Sequence, residues 1–144
     1  KLLYPFKDER PLEWGWKGVE REGAIVESPI DISKLEAVPF HKEKEDWVSG
    51  EEMMKRAADE KAFPGCQGWG QHAAEDILSR ASELPTEWAN DKGPVLLFTD
   101  SVLVCDDGDR YVPCLFWGDG EWQLDWNYLG HNFDRNYRFV RLRK

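Results

Sequence analysis

Two groups of residues have the types that acid-base or nucleophilic chemistry requires. Asp125, His131 and Asp134 fall in one short stretch near the end of the chain. Carboxylates beside an imidazole can orient it and stabilise its charged form, and an imidazole can exchange a proton near neutral pH. Cys66 and His72 form the second group, a thiol and a base of the kind found in nucleophile pairs. Neither group sits in a motif that fixes its geometry, because the chain has no GxSxG, HExxH, P-loop or glycine-rich dinucleotide turn. His72 falls near an expected helix start, where a capping or surface role is commoner than catalysis. The sequence therefore predicts no catalytic residue and no enzyme.

Metal chemistry fares no better. "DDGD" at 106–109 supplies carboxylates, but its Asp and Gly suit a hairpin turn more than the many oxygen ligands calcium requires. Cys66, Cys105 and Cys114 are an odd number without CxxC spacing, so neither a disulfide framework nor a zinc site is indicated. Cys105 and Cys114 flank the turn and could face each other across it, but reduced, half-buried thiols are the expectation. No metal and no cofactor are expected.

Composition narrows the remaining classes. A net charge of -9 over 144 residues argues against a phosphate-backbone partner, which needs clustered Lys and Arg. The one basic cluster, Arg138, Arg141, Arg143 and Lys144, reads as a solvated end. No apolar run is long enough to span a membrane, and "KLLYPFKDERPLEW" lacks the continuous apolar stretch of a signal peptide. No nucleic acid, no membrane insertion and no encoded secretion are expected. With 41% hydrophobic residues and this length, residues 1–144 read as one domain.

The elements that must position these residues follow from periodicity. Through about Phe40, short β-prone runs such as "GAIVES" alternate with Pro5, Pro11, Pro29 and Pro39, which predicts strands and loops. "VSGEEMMKRAADEKAFPG" places Ser49 three residues before Glu52, the capping-box spacing, and predicts a helix stopped by Pro64 and Gly65. In "GQHAAEDILSRASELPTEW", Ala74, Ile77, Leu78, Ala81 and Leu84 form an apolar stripe at helical spacing, closed by Pro85. From Pro94 the pattern is β: "VLLFTDSVLVC", "RYVPCLFW" and "EWQLDWNYL", separated by "DDGD" and "GDG". The expected fold class is α+β, two helices packed on a mostly antiparallel sheet.

Strand parity sorts the last of these runs. Trp122, Leu124 and Trp126 share one face, expected to be buried; Glu121, Gln123, Asp125 and Asn127 share the other. Beyond this polar row, the residue vocabulary is restricted. Starting from the asparagine codon AAC, changes at the two adenines yield Asp, His, Tyr, Phe, Gly and Asn among others, and never a stop. That set matches Phe116, Asp119, Asp125, Asn127, Gly130, His131, Asn132, Asp134, Asn136 and Tyr137. Trp117, Trp122, Leu124, Trp126, Leu129, Phe133 and Arg135 lie between them as residues that would hold the backbone. Glu121 and Gln123 do not arise from AAC in this way.

The stretch "DGDRYVPCLFWGDGEWQLDWNYLGHNFDRNYRFVRLRK", Asp107 to Lys144, resembles the variable proteins of diversity-generating retroelements, especially those of archaea, their viruses and small-genome bacteria. The likeness is weaker over "LPTEW" and "LLFTDSVLV", and does not extend before the helices. In that family a reverse transcriptase copies a template with errors at adenines, and the copy replaces the 3′ end of the gene. The resemblance implies a C-type lectin fold whose variable region, about 114–137 here, displays diversified side chains on a ligand-binding face, with "RFVRLRK" as its fixed end. The implied ligand-binding residues are Phe116, Asp119, Glu121, Gln123, Asp125, Asn127, Tyr128, Gly130, His131, Asn132, Asp134, Asn136 and Tyr137. Phe116, Tyr137 and Tyr128 would be aromatic anchors and the polar residues hydrogen-bonding groups, a vocabulary resembling that of antibody paratopes. The implied partner is a protein or cell-surface component; the residues do not encode a location, and the implied settings for the chain itself are a virion or a cell surface, reached through a partner. Calcium-dependent sugar binding is not implied: "DWN" at 125–127 is present, but the EPN or QPD loop of many animal C-type lectins is not. The alternative is a structural or assembly module whose aromatic face associates with another copy.

Overall fold

The computed structural model describes residues 16–105 and 107–144. The expectations for Pro5, Pro11, "KLLYPFKDERPLEW" and Asp106 lie outside them. In chain order the elements are β1 (Trp16–Arg21), β2 (Leu35–Val38), β3 (Trp47–Ser49), α1 (Gly50–Ala57) and α2 (Gln71–Leu78). They continue with β4 (Val95–Leu97), β5 (Val102–Cys105), β6 (Arg110–Gly118), β7 (Glu121–Tyr128), β8 (Asn132–Asp134) and β9 (Tyr137–Leu142). The α+β expectation holds at this level, with two α-helices among the described residues and a sheet antiparallel except where β4 meets β9.

β6 organises the sheet. Along one edge it pairs with β7 from Tyr111↔Tyr128 to Gly118↔Glu121. Its other edge is shared: β5 meets it at Tyr111 and β4 at Cys114 and Leu115. From β5 the sheet passes to β1, and from β4 to β9 and then β2. β3 and β8 form a separate two-stranded ribbon. The β6–β7 turn is Asp119-Gly120, with φ of 53° and 79°. Two consecutive left-handed residues match the right-handed twist of a tight hairpin, and Asp followed by Gly tolerates them best.

Alternation along the central strands supplies two cores rather than one. Leu97, Cys114 and Phe139 belong to a cluster with Met53 and Ala57 of α1; their chain neighbours Leu96, Leu115 and Val140 belong to a cluster with Ala73, Ala74 and Ile77 of α2. Each helix thus covers its own face. This explains why "VLLF" and "VLVC" read as continuous apolar runs, the pattern of strands buried on both sides.

Several boundaries differ from expectation. α1 ends at Ala57, well before Pro64, because side chains after it capture the groups a longer helix would use. Asp59 accepts the backbone N–H groups of Lys61 and Ala62, and Gln67 donates to the Ala57 and Phe63 carbonyls. Only half of the capping box forms: the Ser49 hydroxyl accepts the Glu52 N–H at 3.1 Å, whereas the Glu52 carboxylate turns to Arg56. α2 ends at Leu78, and two 3-10 turns, Ala81–Glu83 and Thr86–Trp88, continue the chain and still bury Leu84. "GAIVES" is not a strand. After β1 its backbone is bound by Asp100, which accepts the Ala24 N–H at 3.2 Å, and Ile25 is left 68% exposed. "VLLFTDSVLVC" breaks into β4 and β5 around Ser101, a buried hydroxyl that accepts the Gln71 N–H at 2.7 Å and donates to the Glu22 carbonyl at 2.5 Å. Cys105 and Cys114 do not face each other: Cys105 pairs with Trp16 and Cys114 with Leu97 and Asp125.

Arg56 ties α1 to the segment that leads into β3. Its guanidinium donates to both Glu45 carboxylate oxygens at 2.7 and 2.9 Å and to the Phe40 carbonyl at 2.9 Å. This hydrogen bonding holds the Glu45 carboxyl down at about 2 from its ordinary 4.5. A carboxyl whose folded pKa is depressed contributes stability above its unfolded pKa and loses it as pH falls toward the folded value. Wild-type protein is therefore expected to lose stability between about pH 4.5 and 2. Glu45→Gln should lose less across that window, as denaturant titrations at pH 6 and pH 3 would report; equal losses would rule out the Glu45 contribution.

Candidate functional site

On the α1 side of the sheet, the β6–β7 hairpin, the loop after β7 and the start of β9 enclose a pocket of about 340 Å³. Cys114 and Phe116 come from β6, Asp125 and Asn127 from the polar row of β7, and Tyr128 from its end. His131 enters from the loop and Tyr137 from β9, with Val95 and Trp126 completing the wall. Parity accounts for the convergence. Cys114 lies opposite Asp125 and Val112 opposite Asn127, so the polar row of the edge strand shares a face with core residues of β6 and borders the core without entering it.

A short relay crosses the pocket. The Asn127 amide donates to the Cys114 sulfur at 3.6 Å, and its oxygen meets His131 Nε2 at 2.5 Å. His131 Nδ1 meets the Asn132 carbonyl at 2.6 Å. The imidazole stacks on Phe133 at 4.4 Å, and Tyr137 meets the same ring edge-on at 4.9 Å. Phe133 is wholly buried and is the platform on which both pocket rings rest. Burial pushes the Cys114 thiol up to about 12, so it is neutral at physiological pH. Burial also raises the Tyr137 phenol, with further contributions from Cys114 and the Asp134 carboxylate and an opposing hydrogen bond from Asn127. Tyr128 is held differently: its hydroxyl bonds Asp109 and its ring occupies the space a Cβ on Gly130 would need, 2.2 Å from the ring.

The structure thus gathers Phe116, Asp125, Asn127, Tyr128, His131 and Tyr137 and leaves the other expected residues around them. Asp119 is in the hairpin turn, where its φ of 53° restricts which residues fit. Glu121 is exposed beside it, and Gln123 spends its amide on the Gly118 carbonyl at 2.6 Å. Asn132 and Asp134 flank buried Phe133 on β8, exposed and paired with Ser49 and Trp47 of β3. Asn136 is exposed, its N–H bound by Asp134 and its carbonyl accepting from Val95. Val95, Cys114 and Trp126 were not among the expected site residues. Cys114 and Val95 alternate with core positions, and nothing in that pattern separates a pocket floor from a core.

Two corrections concern the scaffold. Trp122, Leu124 and Trp126 keep the expected parity but are half-buried rather than buried, because among the described residues β7 is an edge strand with a neighbour on one side only. Trp122 and Leu124 pack against the α2 cluster, and Trp126 against Leu103. Arg135 does hold the backbone, but from the surface, donating to the Lys42 and Glu43 carbonyls at 2.6 and 2.7 Å.

The residue groups with catalytic types are dispersed. Asp125 and His131 share the pocket, while Asp134 lies on the ribbon. Cys66 is buried in the α1 cluster, its thiol raised to about 11 by burial, whereas His72 lies on α2 against Glu22 at 3.0 Å. His72 also lines a second groove of about 420 Å³ between α2 and residues 25–29. There Asp76 is engaged by the Ile30 N–H and by Arg80, interactions that fasten the loop to the helix. Among the described residues no group of three His, Cys, Asp or Glu is placed to hold a metal ion.

No family model, curated protein or solved structure matches the chain.

Proposed function

We propose that the chain is a ligand-binding variable protein of a diversity-generating retroelement, built on a C-type lectin scaffold and without catalytic activity. The observation that supports this reading best is the position of the pocket. Residues of the AAC-derived vocabulary from β6, β7, the following loop and β9 meet at one concavity beside the core, and their chain neighbours Leu115, Leu129 and Phe133 are buried. Such a site can change its side chains while the apolar volume beneath stays filled. The partner is a protein or a cell-surface component. Among the described residues no helix is long and apolar enough to cross a membrane.

The DNA around the gene tests the reading. A reverse-transcriptase gene and a near-copy of the 3′ end, differing chiefly at adenines in the codons for the residues named above, are expected. Finding neither removes the case for diversification. On the protein itself, the combined change Asp125→Asn, Asn132→Ser and Asn136→Ser is expected to alter unfolding free energy by no more than about 1 kcal/mol, since these side chains are surface-exposed. A larger loss in a denaturant titration would place them in the scaffold instead.

Self-association through the aromatic face is disfavoured by charge. Among the described residues β7 is an edge strand, and its exposed side chains include Glu121 and Asp125, which would bring carboxylates together in an edge-to-edge pair. Oligomeric state that changes with the residues at 116–137 would favour the assembly reading.

A further inference from the structure

We propose that the pocket, in this sequence, receives a cationic side chain, arginine or lysine, from the surface of a protein partner. The inference rests on the pocket being the ligand site and names the chemistry of its ligand.

Two of the lining residues bring benzene-type rings from separate strands, Phe116 of β6 and Tyr137 of β9, both packed on the cluster that holds Cys114. The negative faces of such rings attract a cation, and the attraction grows when water is displaced. Among the described residues Asp125 is the only carboxylate lining the pocket, and neither lysine nor arginine lines it. One Asp125 oxygen accepts the Trp126 N–H at 2.8 Å, which orients the carboxylate at the rim. The Cys114 thiol at the floor is neutral, so the pocket's negative charge comes from Asp125.

The surroundings have the same sign. Asp134 is close enough to disfavour ionisation of the Tyr137 phenol, and Asp119 and Glu121 are exposed at the hairpin tip. The neighbouring cations in sequence are committed elsewhere, Arg135 to the Lys42 and Glu43 carbonyls and Arg138 to the Arg135 carbonyl at 3.1 Å. With a net charge of -9, the chain as a whole favours approach of a basic partner surface. A volume of about 340 Å³ accommodates one long side chain rather than a folded element. A guanidinium suits the site better than an ammonium, because it can stack on a ring and present a planar fork to Asp125 at once.

The test is a titration of the intact protein with Nα-acetyl-arginine methylamide, followed by backbone amide NMR. The uncharged isostere Nα-acetyl-citrulline methylamide serves as the control. Saturable shifts are expected at residues 114–116, 125–128, 131 and 137, with the arginine compound bound at least about tenfold more tightly than citrulline. Asp125→Asn, an exposed change that leaves the core intact, should remove most of that preference. Equal binding of the two compounds, or non-saturating shifts spread over all acidic patches, would overturn the proposal. The outcome is separable from the retroelement reading. A template repeat found beside the gene with no cation preference would sink this inference alone, and cation binding without a template repeat would leave it standing.

Discussion

Replacing Phe133 with alanine is expected to lower the unfolding free energy by about 3–5 kcal/mol, the range for a large aromatic removed from a packed core. Phe133 has no exposed surface, belongs to the α1 cluster and sits at the centre of the β3–β8 ribbon opposite Val48. Its carbonyl accepts from His41 at 2.8 Å, so the backbone is anchored even as the ring is lost. The cavity would open directly beneath His131 and Tyr137, the two rings that rest on it. Ligand binding is therefore expected to fall even where the protein remains folded. Urea denaturation measures the first effect, with Trp122→Ala as the comparison. Because Trp122 is half-exposed on the edge strand, its loss should be the smaller of the two. A loss below about 1 kcal/mol for Phe133→Ala would mean that the ribbon is not part of the core.

Gly50→Ala is expected to be the second most damaging change, and for a backbone reason. Gly50 opens α1, and a Cβ there would lie 1.8 Å from the Leu129 carbonyl oxygen. Alanine prefers a helix to glycine by about 1 kcal/mol, which on propensity alone favours the substitution. The collision is with backbone, which cannot rotate aside, so overpacking should dominate and cost about 1–3 kcal/mol net. Leu129 precedes the loop that delivers His131, so displacement should reach the pocket. Amide shifts at 129–133 larger than those within α1 are the expected NMR signature. A stabilised protein would show that the loop yields freely and that helix propensity governs the site.

These two positions show how much the chain discloses on its own. Gly50 reads in sequence as one more residue of "VSGEEMM"; only the approach of a strand-end carbonyl from far along the chain gives it a role. Phe133 was legible as a fixed residue among variable-looking neighbours, though not as the support of two pocket rings. Local patterns were read correctly where the forces are local. Ser49 caps α1, the Asp119-Gly120 turn closes the β6–β7 hairpin, and Glu121 to Asn127 alternate as parity requires. Expectations failed where a distant partner outcompeted a local propensity. "GAIVES" has β-prone residues, yet Asp100 binds its backbone away from any strand. α1 ends early because Asp59 and Gln67 offer its terminus better partners than another helical turn, and at the end of α2 the Ser79 hydroxyl donates to the Asp76 carbonyl at 2.6 Å.

The sequence by itself determined where the two helices start, the β6–β7 hairpin, the face of β7 that is polar, and a restricted vocabulary of residues at 116–137, because side-chain alternation, capping and turn chemistry act over a few residues. Only the tertiary structure decided that this polar face borders a pocket and that β7 is an edge strand with half-buried tryptophans. It also decided that the pocket floor is a neutral thiol and that Asp125 lines the same concavity as Phe116 and Tyr137. Those outcomes depend on which strands meet β6 and on which edge, a choice made by burying two apolar faces at once, and no single stretch of the chain encodes it.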